Sequence, residues 1–206
     1  MKMLRELVLP VPAMIMHHGD EPDSSLKHIL TDIGYPDDLI FQSEQDDTAF
    51  KIMDRHLPNL LLVDLDTPPE VIQQLHRINQ GMLIIGISGH DPVKILRAIH
   101  AGISGYLFTD QSPEQQKNQV IMTLRGGSPI DTEVAQLMLK CIGKTDLPFR
   151  FTNTEQEILN LAGHGIELEQ ISDDLHIPEY MIPGYIKNIY RKISMYQSDE
   201  QNCLCH

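Results

Sequence analysis

The sequence predicts an α/β fold, a doubly wound parallel sheet of five strands, followed by a small all-α domain. Three observations carry this. From Ala13 to about Arg125, short apolar runs alternate with amphipathic stretches of helical length, the pattern of βα units around a parallel sheet. Gly126-Gly127-Ser128-Pro129 then breaks the alternation. Beyond Pro148 only helical periodicity remains. A chain of 206 residues has the length for two small domains, each burying its own core. The expected divisions are 1–126 for the sheet domain, 127–148 for a linker with a helix, and 149–206 for the helical domain.

The expected strands are Ala13–Met16, Leu39–Phe41, Leu60–Val63, Leu83–Ile87 and Gly105–Phe108. Helical patterns lie between and after them at Ser24–Ile33, Asp47–His56, Pro69–Asn79, Pro92–Ala101 and Pro113–Leu124. After the glycine break, Asp131 or Thr132 can cap a further helix to about Ile142. Residues 143–148 read as the interdomain connection. Thr152-Asn153-Thr154-Glu155 is a capping box, in which a threonine oxygen and a glutamate three residues on satisfy free amides at a helix start. Helical periodicity then continues, broken at Gly163–Gly165 and His176–Pro178.

Acidic residues outnumber basic ones 29 to 16, for a formal charge of −13. That balance favours solubility and repels phosphate backbones and anionic membranes, so contact with nucleic acid needs a local basic patch. Three cysteines form no paired framework, and no apolar run approaches the roughly 20 residues of a membrane span. The expected setting is reduced, soluble and cytoplasmic. Lys2 and Arg5 ahead of an apolar stretch imitate a leader, but Glu6, Pro10 and Pro12 interrupt it.

Two strand ends carry the chemistry. Pro58-Asn59-Leu60-Leu61-Leu62-Val63-Asp64 ends on a carboxylate placed like a phosphate acceptor, and Ala13–Met16 ends in His17-His18. In an open α/β sheet, ligands bind at the carboxyl ends of the strands, where His17, His18, Asp64 and Ser88 all fall. These residues, together with Ser88 after the fourth apolar run and Ala101-Gly102-Ile103-Ser104-Gly105-Tyr106-Leu107 entering the fifth, resemble the receiver of bacterial response regulators. Asp110, Ser112 and Pro113 fit the same pattern. The resemblance implies a flavodoxin-like receiver with Asp64 as the phosphoacceptor position and with Ser88 and Tyr106 as switch positions.

Three residues depart from that pattern. The family places an acidic pair where His17 and His18 stand, and a lysine where Thr109 stands. The acidic pair and the phosphoacceptor together hold magnesium, a hard cation that takes oxygen ligands in near-octahedral geometry. Imidazoles do not supply that set, and phosphoryl transfer depends on cations that neutralise the transferring oxygens. The expectation is a pseudo-receiver without cofactor or resident metal, and with no catalytic residue. Histidines at positions 17 and 18 also suit a transition metal or a pH response, although neighbours on a strand point to opposite faces. Cys203-Leu204-Cys205-His206 offers three soft ligands but no evident fourth.

Phe151 to Met195 resembles the LuxR-type helix-turn-helix of the NarL/FixJ subfamily. Glu155–Leu159 matches its opening helix, Gln170-Ile171 and Leu175 the scaffold helix, Ile177 precedes the recognition helix, and Asn188–Ile193 closes the match. Where the family has a threonine-valine-lysine triplet and a histidine, this chain has Met181-Ile182-Pro183 and Tyr185. A helix begun at Glu179 would put Pro183 in its second turn at a cost of about 3 kcal/mol, so a late start or a kink is expected. Remaining DNA-facing candidates are Tyr185, Lys187, Asn188, Arg191 and Lys192. From Phe149 onward, four basic residues face nine acidic ones, among them Glu167, Glu169, Asp173 and Asp174 on and before the scaffold helix.

The resemblance implies a transcriptional regulator and not an enzyme, with promoter DNA and a second copy of the chain or another regulatory protein as partners, and no membrane. The residues point to signalling without aspartyl phosphorylation and to weak or altered DNA binding. An interaction protein that modulates another regulator is the competing reading, and a metal or pH sensor at His17 and His18 a third.

Overall fold

The computed structural model describes residues 11–17, 24–142 and 150–195. Five strands form one parallel sheet in the order β2-β1-β3-β4-β5. They are β1 (Ala13–Met16), β2 (Ile40–Ser43), β3 (Leu60–Asp64), β4 (Leu83–Ser88) and β5 (Gly105–Phe108). Each connection carries a helix: α1 (Ser24–Ile33), α2 (Asp46–His56), α3 (Pro69–Ile78) and α4 (Pro92–Ala101), with α5 (Pro113–Leu124) after the last strand. Parallel neighbours need such crossovers, which cover both faces and leave the central strands apolar throughout. In β3, residues 60–63 are fully buried.

The second strand lies later than expected. Leu39 closes a short 3-10 turn, Asp37–Leu39, and the strand runs on through Gln42 and Ser43. As an edge strand it pairs only with β1, so polar residues are tolerated where a central strand would exclude them.

Helix starts and stops follow local chemistry. Asp91 caps α4 through Oδ1, which accepts from the amides of Val93 and Lys94, and Pro92 occupies the first turn, where no backbone donor is needed. Gly102 ends that helix at a φ of 105°, a left-handed conformation that suits glycine. Thr152 and Glu155 form the expected capping box at the head of α7 (Asn153–Gly163).

The chain continues through α6 (Thr132–Ile142), α7, α8 (Leu168–Leu175) and α9 (Ile182–Met195). A 3-10 turn at Glu179–Met181 delays α9, so Pro183 falls in its first turn and needs no kink. One apolar cluster lies under α1 and α5 and contains Ile15, Leu62 and Val120. The other begins on the opposite sheet face at Met14, Leu61 and Val63, passes through Ile95 and Ile99 of α4, and continues into Met138, Ile158, Ile186 and Ile189. Helix α4 therefore packs on the sheet with one side and on α6 and α9 with another. Among the described residues no helix is long and apolar enough to cross a membrane.

Candidate functional site

The carboxyl edge of the sheet gathers the predicted switch positions. Asp64 ends β3 in register with Ile87, and Ser88 pairs with Phe108. His17 follows Met16, whose partner is Val63, so the backbone register sets His17 alongside Asp64. Asp64 is half-buried, and its Oδ1 accepts the amide of Asp66 at 2.9 Å. Ser88 is buried, and Thr109 is exposed with its amide donated to the carbonyl of Ser88 at 3.0 Å.

His17 is 8% exposed, and its Nε2 has no hydrogen-bond partner. His18 and the Cys203, Cys205 and His206 tail lie outside the described residues. Among those described, no group of three His, Cys, Asp or Glu side chains can hold a metal ion. A magnesium ion of the kind a receiver holds needs converging oxygens. A buried imidazole at position 17 does not supply one of them.

Two groups at this edge were not legible in the sequence. Lys94, in the first turn of α4, pairs with Asp66. Its pKa is raised chiefly by that hydrogen bond, with the charges of Asp66, Asp91 and Asp64 adding to it. His90 stacks on Phe108 with ring centroids 4.0 Å apart and meets Asp110 through Nε2 at 3.1 Å, tying the loop after β4 to the loop after β5. Sequence separations of 28 and 20 residues give no local signal for either contact. A cleft of about 230 Å³ opens beside them, lined by His90, Asp91, Ile95, Phe108, Asp131 and Glu133.

Tyr106, expected as a switch position, is 1% exposed. Its partners come from beyond the sheet, from Asp131 ahead of α6 and from Tyr190 on α9. Its hydroxyl donates to Asp131 Oδ2 at 2.7 Å and accepts the Asp131 amide at 2.9 Å. Tyr190 on α9 is 2% exposed, lies beside that hydroxyl, and donates to the carbonyl of Pro129 at 2.5 Å. Burial drives both phenol pKa values up, so both rings stay neutral at physiological pH.

The helical domain disposes its DNA-facing candidates unevenly. Asn188 and Arg191 are exposed, and Tyr185 and Lys187 are half-buried. Lys192 is bound to Glu155 and to the carbonyl of Arg150 (3.3 Å), with its Nζ 5.7 Å from the centre of the Phe151 ring. Glu167, Glu169, Asp173 and Asp174 are all exposed on and before α8.

No family model matches the chain. It is 24% identical over 178 residues to the transcriptional regulatory protein LnrK of Bacillus subtilis, covering 77% of this chain and 80% of LnrK. It is 27% identical over 140 residues to the response regulator VraR of Staphylococcus aureus, covering 68% of this chain and 67% of VraR. Its relatives are response regulators. Among solved structures, the RcsB response regulator of Salmonella typhimurium superposes with a TM-score of 0.52 at 16% identity, over 94% of this chain and 97% of RcsB. A LuxR family DNA-binding response regulator from Silicibacter pomeroyi gives 0.50 at 18%, over 60% of this chain and 99% of that one. Identity this low shows a shared fold. The response-regulator architecture, a five-stranded parallel sheet domain followed by a helical domain, is therefore common to this chain and RcsB.

In response-regulator terms, the fold brings Asp64, Ser88 and His17 to one edge and places Thr109 beside them with no ammonium of its own. Tyr106 is carried away from that edge into the seam with α6 and α9.

Proposed function

We propose that the chain is a cytoplasmic transcriptional regulator of response-regulator type that acts without phosphorylation of Asp64 and binds DNA weakly or in an altered way. The observation that carries the first half is the buried imidazole of His17, its Nε2 without a hydrogen-bond partner, at the end of the strand that neighbours the one ending on Asp64, where magnesium chemistry calls for a carboxylate. The lysine position supports it, since Thr109 offers a neutral hydroxyl to any developing phosphoryl charge.

Promoter DNA is the proposed partner, with a second copy of the chain. RcsB has been solved bound to the promoter rprA and as two dimers on two parallel DNAs. For this chain, the charge balance of the helical domain and the engagement of Lys192 by Glu155 reduce the cations available for phosphates. Those two features also favour a second reading, an interaction protein that modulates another regulator without touching DNA.

One binding assay on genomic DNA fragments separates the two, run at low and at physiological salt. Weak binding that falls steeply with salt and runs through Lys187 and Arg191 supports an altered DNA reader. Absence of binding at both salts selects the interaction protein. Nanomolar, sequence-selective binding at physiological salt would overturn the proposal of weak recognition.

A further inference from the structure

The 3-10 turn ahead of α9 holds two apolar side chains out in water. Tyr180 is 83% exposed and Met181 41%, and among the large exposed apolar side chains of the described residues only these two are neighbours in the chain. The turn beneath them is firmly built. Ser172 Oγ donates to the carbonyl of Ile177 at 2.7 Å, the Ile177 amide donates to the carbonyl of Ser172 at 3.1 Å, and the Met181 amide donates to the carbonyl of Pro178 at 2.9 Å. Pro178 fixes its own φ, and Ile182, next after the pair, is fully buried. A tyrosine and a methionine on such a platform lose little freedom on contact, and both residue types are enriched where proteins meet.

The ground around them is acidic without relief. From Phe151 to Ile186 the sequence has seven carboxylates and neither lysine nor arginine. Glu155 is buried and paired with Lys192, whereas Glu167, Glu169, Asp173, Asp174 and Glu179 are exposed and enter no ion pair among the described residues. Helix stability accounts for only some of them. Glu167 and Glu169 suit the start of α8, where free amides favour negative charge. Asp173 and Asp174 stand in its last turn, where the carbonyl ends favour a cation and none is present.

We propose that Tyr180 and Met181, on a turn packed against α8 and its carboxylates, form a docking face for a cationic protein segment that presents lysine or arginine beside apolar side chains. Charge selects this occupant. A phosphate backbone and an anionic membrane are repelled, and a second copy meeting this face with its own would set carboxylate against carboxylate. The apolar pair offers the partner an anchor that excludes water, while the carboxylates set encounter rate and register. Docking of this kind rests on the reading of the chain as a modulator of another regulator, and gives that modulator a site and a partner chemistry.

Titration of the full chain with a synthetic amphipathic helix, leucines along one face and lysines along the other, tests it beside a lysine-alanine helix of equal charge. The leucine-lysine helix should bind the wild type more tightly than the lysine-alanine one. Tyr180→Ala combined with Met181→Ala should weaken it by about tenfold or more, and Met195→Ala, which removes an exposed methionine at the other end of α9, should not. Asp173→Asn with Asp174→Asn should slow association and flatten its salt dependence. All four positions are exposed, so melting temperatures should stay near that of the wild type. Equal binding of the two helices, or affinity for the leucine-lysine helix that survives in the Tyr180→Ala/Met181→Ala variant, would overturn the docking face. Titration of the same variants with genomic DNA fragments separates the face from the reading it rests on. Sequence-selective DNA binding that persists in the Tyr180→Ala/Met181→Ala variant, while the leucine-lysine helix is lost, counts against the modulator and leaves the face standing. DNA affinity that falls in that variant while the leucine-lysine helix still binds would assign the face to nucleic acid and overturn the proposal.

Discussion

Lys192 and Glu155, 37 residues apart, form an ion pair inside the helical domain, with the glutamate side chain 4% exposed. The same carboxylate accepts the Thr152 amide at 2.7 Å, so the pair joins the end of α9 to the capping box of α7. Removing the ammonium leaves a buried carboxylate short of a partner. Lys192→Ala should destabilise the protein by about 1–3 kcal/mol and lower its melting temperature by a few degrees. Arg191→Ala, on an exposed face, should leave the melting temperature nearly unchanged and weaken any DNA binding. Thermal unfolding and a DNA titration on both variants check the split. Equal effects on stability would show that the ion pair contributes little.

Incubation with acetyl phosphate and magnesium should add no phosphoryl group to the intact mass, and magnesium alone should not raise the melting temperature. An acid-labile adduct that disappears in Asp64→Asn is the outcome that would sink this expectation.

Gly184 has open space around its Cβ position, so a larger residue there is accommodated without repacking. Pro183→Lys with Gly184→Thr adds a cation at the head of α9 and replaces a poor helix former, a gain of roughly 0.3–0.5 kcal/mol in helix propensity at residue 184. DNA affinity should rise, and the salt dependence should steepen by about one phosphate contact. Unchanged affinity and slope would mean that the head of α9 stays out of reach of DNA in this variant too.

Stability should decline on both sides of neutral pH, for opposite reasons. Burial lowers the pKa of His76 and His100 below the ordinary 6.5, so below that pH the unfolded chain binds protons that the folded one refuses. Their stabilisation is present above 6.5 and is lost as the pH falls. Burial raises the pKa of Tyr35, Tyr106 and Tyr190 above the ordinary 10.0, so above that pH the unfolded chain releases protons that the folded one keeps. Urea midpoints should therefore fall from pH 7.5 to 5.5 and again beyond pH 10. His100→Gln should flatten the acid limb and Tyr190→Phe the alkaline one. A midpoint independent of pH below 6.5 would contradict the first assignment.

Most of the fold was legible because central strands such as Leu60–Val63 are buried on both faces and cannot hide among polar residues. Ile40–Ser43 was misplaced for the converse reason, since an edge strand accepts Gln42 and Ser43. The late start of α9 followed from Pro183 alone, a local steric rule. Tyr106 could be placed as a switch position, but its burial could not be read, because the groups that meet its hydroxyl, Asp131 and Tyr190, come from distant sequence. Lys94 on Asp66 and Lys192 on Glu155 were invisible for the same reason. The altered positions Thr109 and His17 could be read directly, whereas the burial of the His17 ring needed the neighbouring strands.

The shared apolar cluster through α4 limits how the chain can be divided. Ile95 and Ile99 of one half and Ile186 and Ile189 of the other belong to a single dry interior. Severing the connection at residues 143–149 would wet that interior on both fragments at once. Neither piece is then a transplantable module, and chimeras that graft this helical unit onto a foreign receiver, or a foreign reader onto this sheet, would inherit an adhesive face in place of a finished surface.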